Sequence, residues 1–164
     1  GDHRDLHSFP TRRSSDATPG NGICADGSGD CSLRAAIMEA NATAGAQTIS
    51  IPAGTYTLSI AGTGEDAAAT GDLDITGELI IIGENARTTI IDANGIDRVF
   101  NNPFGANVNI TYRNLTITGG DVTSFPGTGG GIQHAANGNL TIDNCIISGN
   151  DGNFSGGGDR KSTR

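Results

Sequence analysis

The run ITYRNLTITGG (110–120) returns as LTIDNCIISGN (140–150) after 30 residues, and this repeat restricts the fold more than anything else in the chain. Ile110 aligns with Leu140, Tyr112 with Ile142, Asn114 with Asn144, Ile117 with Ile147 and Gly119 with Gly149. GTGGG (127–131) returns more loosely as FSGGG (154–158), 27 residues on. Each unit reads as strand, short asparagine turn, strand, glycine loop. A unit this small cannot bury its own apolar face and has to stack on its neighbour. Strand-only units with polar turns predict an all-β parallel β-helix, in which equivalent asparagines hydrogen-bond up the stack.

Upstream, the chain alternates with period two. QTISIPAGTYTLSIAG places Ile49 and Ile51, then Leu58 and Ile60, on one side, and GDLDIT does the same with Leu73 and Ile75. ELIIIG and TTIIDANG are denser, as strands covered on both faces are. Before them stands one helical stretch, CSLRAAIMEAN (31–41). Ser32 is its N-cap, Leu33, Ala36, Ile37 and Ala40 form one apolar stripe, Arg34 and Glu39 face elsewhere, and Gly45 supplies a stop. A β-helix has an open end with a bare core, and this helix is expected to cover it. The competing arrangement lays the helix along the flank of a two-layer sandwich.

The two ends resemble something other than protein. GDHRDLHSFPTRRSSD (Gly1–Asp16) back-translates onto a common sequencing-adapter oligonucleotide, with Ala17 where the adapter calls for Leu. GDRKSTR (Gly158–Arg164) matches a read into the opposite adapter. The expected division is therefore an adapter-like tail over 1–16, loop and capping helix over 17–47, incomplete β-helix coils over 48–158, and a second tail over 159–164. Between the tails, Arg34, Arg87, Arg98 and Arg113 stand against 14 acidic residues, a net charge of −10, with no lysine. Such a surface repels nucleic acid and anionic lipid, and no run approaches the ~20 apolar residues of a membrane span.

Cys24 and Cys31 flank a flexible loop in CADGSGDCS, a spacing that favours a disulfide over two free thiols. A disulfide in an acidic chain points to an extracytoplasmic compartment. Cys145 falls in an apolar strand and reads as a small buried side chain.

CSLRAAIMEAN, AGTYTLSI, TGDLDIT, TIIDANGIDRVF, NLTITGG and GGGI together resemble the bacterial CSLREA-type right-handed parallel β-helix proteins, over Pro19–Gly157. The resemblance implies a secreted or cell-surface protein of which this segment forms the first coils. Ala35 stands where the motif usually has Glu, which removes the capping box that Ser32 would close.

The sharpest candidate for chemistry is Asp72 with Asp74. If Leu73 and Ile75 point inward, both carboxylates project from one outer face, placed to share a cation or grip a sugar hydroxyl. The plainer reading is that they solubilise an exposed strand. Asp26 and Asp30 in DGSGD mimic the opening of a calcium loop, yet Cys31 and Ile37 stand where that loop needs Gly and Glu. A weak cation site is all that survives there, and calcium is the one cofactor this reading admits. Asp92 reads as a strand-end group, and Asp97–Arg98 as a local ion pair. His134 stands alone on a glycine loop, so no nucleophile with its base can be assembled.

These features predict a secreted or surface-displayed scaffold with a structural or adhesive role toward glycans or extracellular matrix. The alternatives are a polysaccharide lyase or glycoside hydrolase of the pectate-lyase-like β-helix type, with arginine as base, and a passive spacer. Three or more acids and an arginine converging in one concave groove would favour the enzyme. Carboxylates scattered over several faces would favour the scaffold.

Overall fold

The computed structural model describes residues 15–123 and 129–152. Apart from Ser15 and Asp16 the adapter-like tails lie outside these residues, as does the second glycine run at 154–158. One helix, α1 (Leu33–Ala42), precedes the strands. These are β1 (Gln47–Ile51), β2 (Gly54–Thr57), β3 (Leu73–Asp74), β4 (Leu79–Gly83), β5 (Thr89–Asp92), β6 (Phe100–Asn102), β7 (Ile110–Arg113), β8 (Thr116–Thr118), β9 (Ile132–His134), β10 (Leu140–Asp143) and β11 (Ile146–Ile147).

Every pairing among these strands is parallel, in sheets ordered β1-β4-β7-β10, β2-β5-β8-β11 and β3-β6-β9. The chain visits the three sheets in rotation. It makes three turns of a parallel β-solenoid and the first two strands of a fourth, the architecture that the repeat requires. The sandwich arrangement is overturned, because a sandwich of this kind needs antiparallel neighbours.

The pairing of Ile110 with Leu140, Tyr112 with Ile142 and Ile117 with Ile147 reproduces the sequence alignment residue for residue. Asn114 and Asn144 make the two tight turns with φ of 57° and 51°. Asparagine tolerates that left-handed backbone, and the Asn144 amide donates to Asn114 Oδ1 at 2.7 Å, continuing the stack outside the sheet. Inside the coils Ile49, Ile81 and Tyr112 form one buried column, and Tyr56, Ile91 and Ile117 another. Phe100 packs on Tyr112 with ring centroids 4.6 Å apart. Ile142, which continues the inward column on β10, is 44% exposed.

Helix α1 lies against β1 and β3 of the first coil. The Ser32 hydroxyl accepts the Ala35 N–H at 3.0 Å, and Leu33, Ala36, Ile37 and Ala40 are buried as the stripe predicts. The helix ends at Thr43, two residues before Gly45 with its φ of +85°. Arg34 and Glu39, which lie off the stripe, are buried as well, each 4% exposed. One expectation needs correction: the dense strand β4 alternates buried and half-buried positions, so its outer face is only partly covered.

Candidate functional site

Asp72 and Asp74 do lie opposite the inward-facing Leu73 and Ile75, but they are not on an open face. They are 3% and 0% exposed, which corrects the expectation of two outward carboxylates. What covers them is the long connection from β2 to β3, whose last part, residues 65–71, folds back across β3 as a strap. The Ala68 N–H donates to Asp74 Oδ2 at 2.8 Å, and the Asn101 amide donates to Asp74 Oδ1 at 2.8 Å and to Asp66 Oδ1 at 3.3 Å. Glu65 accepts the Ala67 and Thr70 amides and so folds the strap on itself. Gly71 fits because a Cβ there would stand 2.3 Å from the Gly62 carbonyl and 2.8 Å from Asp97 Oδ2, on a backbone with φ of +57°.

Two arginines complete the cluster. Arg34 reaches from α1 and donates to the carbonyls of Ala68 (2.7 Å), Thr70 (3.3 Å), Gly71 (2.6 Å) and Asp72 (2.9 Å). Arg98 pairs with Asp72 at 3.2 Å, where the sequence suggested a pair with Asp97. Asp97, 2% exposed, accepts the backbone N–H of Arg98 at 2.7 Å and also that of Asp72.

Burial governs the charge state here. It pushes the Asp72 carboxyl up to about 8, helped by the neighbouring Asp74 and Asp97 carboxylates and opposed by Arg98. Burial raises Asp74 to about 6 against the stabilising Ala68 N–H and Asn101 amide. Asp97 is raised by the same cause, and burial lowers Arg34 despite Glu65, Asp72 and Asp74. Carboxyls that titrate near neutrality suit proton transfer, yet a general acid needs a substrate within reach, and the strap closes this pair off. Five acids and two arginines thus converge, but not in an open groove: Asp72, Asp74 and Asp97 are buried, while Glu65 and Asp66 lie on the strap and Asp66 is exposed. Sequence reading missed Arg34, Glu65, Asp66 and Asn101, which meet Asp72 and Asp74 only once the connection folds back.

The other candidates resolve into structure. Cys24 and Cys31 form a disulfide. Asp26 Oδ1 accepts the amides of Ser28 (2.8 Å) and Asp30 (3.1 Å), so this carboxylate shapes the turn between the two cysteines. Among the described residues no group of three or more His, Cys, Asp or Glu side chains is placed to hold a metal ion. Asp92 ends β5 and accepts the Asn94 amide at 2.8 Å. Cys145 lies in the turn between β10 and β11, half-buried and unpaired, instead of within a strand. His134 is not alone on a loop: it ends β9, with Nδ1 3.2 Å from Asn102 Oδ1 and Nε2 3.1 Å from the Gly138 carbonyl.

The outer faces are regular. Thr48, Ile80, Thr111 and Thr141 form one column across β1-β4-β7-β10, with Ser50, Ile82, Arg113 and Asp143 beside it. Arg113 and Asp143 pair at 2.8 Å in solvent. Thr55, Ile90, Thr116 and Ile146 line up across β2-β5-β8-β11. At one corner the Asn109 amide donates to Glu78 at 3.1 Å and the Asn139 amide to Asn109 at 3.1 Å. No helix among the described residues is long and apolar enough to cross a membrane. Comparison of the chain with protein-family models, curated proteins and solved structures gives no match.

Proposed function

We propose that this chain is a segment of a secreted or cell-surface bacterial scaffold that acts through its outer faces, in structural or adhesive contact with neutral glycans or extracellular matrix. The observation that carries this reading is the registered outer column Thr48, Ile80, Thr111 and Thr141, in which Thr111 and Thr141 stand on adjacent strands. Methyl groups, with hydroxyls at the threonine positions, recur there at the inter-strand spacing of about 4.8 Å, on a rigid surface. A column so arranged offers weak, evenly spaced contacts, which is how a repetitive polymer is held without a deep pocket. The net negative charge disfavours anionic partners, and the Cys24–Cys31 disulfide suits an oxidising compartment.

The enzyme reading has one observation in its favour, Arg98 standing 3.2 Å from Asp72. A single experiment tests both. The chain is incubated with insoluble neutral polysaccharides and with soluble acidic ones, with and without calcium, while retention and chain cleavage are measured. Retention without cleavage is expected, and it should weaken when Thr111 and Thr141 are both replaced by Lys. Calcium-dependent cleavage of an acidic polysaccharide overturns the proposal in favour of a lyase. Failure to retain any polymer overturns the adhesive role.

A further inference from the structure

We propose that one corner of the solenoid is a carbohydrate anchor, where the Phe104 ring stacks on a β-linked, gluco-configured pyranose while Glu78, Asn109 and Asn139 bind hydroxyls further along the same sugar chain. This deepens the adhesive reading above and rests on it. The corner is built from the connections that lead from β3, β6 and β9 into β4, β7 and β10, residues 75–78, 103–109 and 135–139. Phe104 is 87% exposed there, more than any other large apolar side chain among the described residues. Pro103 restricts the backbone before it, and Gly105 turns the chain after it with φ of +93°. The next connection lies directly on this one. The Asn137 N–H donates to the Ala106 carbonyl at 2.8 Å, and a Cβ on Gly138 would stand 1.7 Å from the Val108 carbonyl oxygen. An aromatic ring held in water on a braced turn gains by being covered, and it loses little conformational entropy when it is.

The hydrogen-bonding half of the site is a ladder. Glu78, Asn109 and Asn139 are exposed, and each stands immediately before its strand. Their carbonyls accept the Gln47, Leu79 and Ile110 amides, which sets the three residues in one column. The Asn109 amide donates to Glu78 Oε1 and the Asn139 amide to Asn109 Oδ1, each at 3.1 Å. These bonds orient the side chains and leave Glu78 Oε2, Asn139 Oδ1 and one N–H of each amide without a partner among the described residues. Donors and acceptors thus recur at about 4.8 Å, close to the advance of one residue along an extended β-1,4 glycan. By period two, Thr111 and Thr141 lie on the same side as Asn109 and Asn139, so the ladder runs beside the outer column. Phe104 stands five residues before Asn109, at most about 18 Å away, which one short oligosaccharide can span. Glu78 is the one charged residue in the three connections, which favours a neutral sugar over a polyanion. Stacking selects the configuration. A gluco-configured pyranose with its hydroxyls equatorial shows only C–H groups on its faces, and these carry the partial positive charge that the negative face of an aromatic ring attracts.

The chain contains no tryptophan, so Phe104→Trp places a single indole at the corner. Titration of this variant with cellohexaose should change its emission and saturate, whereas hexagalacturonate should leave it unchanged. By calorimetry, Phe104→Ala and Asn139→Ala should each weaken cellohexaose binding at least about fivefold, and Phe104→Tyr should retain it. Retention of the same proteins on insoluble β-1,4-glucan is measured in parallel. If either alanine variant binds as the wild-type chain does, the anchor is overturned, while retention of the wild-type chain still upholds the adhesive reading. Failure of the wild-type chain to be retained on any neutral polysaccharide overturns that reading and the anchor with it. Equal binding of hexagalacturonate overturns the assignment of a neutral, gluco-configured ligand.

Discussion

Replacing Arg34 by Met should be among the most damaging single changes available in this molecule. The guanidinium is 4% exposed and satisfies four backbone carbonyls, those of Ala68, Thr70, Gly71 and Asp72, none of which gains another donor when it is removed. A hydrogen bond to a charged group contributes about 1.5–3 kcal/mol net, so simple addition gives roughly 6–12 kcal/mol. That sum overstates the loss, because the four bonds share one donor group and the strap can relax outward. Against it stands the cost of burying the cation, which Met does not incur. Removal of one partner from a buried charged network typically costs about 3–5 kcal/mol, and that is the expectation here. For a domain of this size it corresponds to a fall in Tm of about 10–15 °C. Arg34→Lys should recover only part of it, since one ammonium offers three donors from a single point and cannot span four carbonyls. Thermal and urea unfolding followed by circular dichroism measure both variants. A loss below about 1 kcal/mol for Arg34→Met would refute the reasoning, and would mean that water satisfies the rim of the first coil unaided.

Three smaller effects follow from the same structure. Asn41 donates to the Asp74 carbonyl at 2.8 Å and accepts the amides of Thr76 and Gly77, so Asn41→Ala should cost about 1–3 kcal/mol in urea unfolding. Asn41→Asp, which keeps the acceptor and loses the donor, should cost less. Reducing the Cys24–Cys31 disulfide opens a loop with a sequence separation of 7, and chain entropy puts the loss at about 2–3 kcal/mol, read as a lower Tm in dithiothreitol. At Asn114, held at φ 57°, substitution by Ala should cost about 1–2 kcal/mol, while Gly should cost less because it adopts that backbone freely. Equal losses for the two would show that the side-chain bond to Asn144, and not the backbone, sets the residue.

The fold was legible where the repeat keeps its spacing. From β7 to β10 the register shift is 30 residues, and the alignment of Ile110, Tyr112 and Asn114 with their partners could be read directly. Between β4 and β7 the shift is 31, and between β1 and β4 it is 32, close enough for a periodic signal. That signal is lost because the connections trade lengths within a coil. The first coil turns from β1 to β2 through Pro52 and Ala53 and then spends residues 58–72 before β3. The second uses residues 84–88 between β4 and β5 and only 93–99 before β6. Coils of nearly equal length therefore fail to align internally, and only the stacked structure shows them to be equivalent. The acidic pair was found in the sequence but its burial was not. Period two fixes which side of the strand Asp72 takes, and says nothing of a distant connection laid over that side.

The helix shows the same limit and its physical cause. An apolar stripe marks a face that meets the protein, and the residues off it, Arg34 and Glu39 among them, are left without an assigned contact. That inference assumes an apolar target. The end of a β-coil is apolar only at its centre, where Leu33, Ala36, Ile37 and Ala40 sit; its rim is a ring of backbone carbonyls and amides left without a neighbouring coil. A helix that covers such an end must bring polar groups to the rim, and α1 does so with Arg34 at its start and Asn41 near its finish. Glu39, turned to the other side, accepts the amides of Gly20 and Gly22 at 2.5 Å each and ties down the segment before the disulfide. Polar residues off the stripe, Arg34 and Asn41, thus substitute for a missing coil. A cap of this kind is specific because its charges have to match a rim, whereas a purely apolar cap would settle on any exposed core.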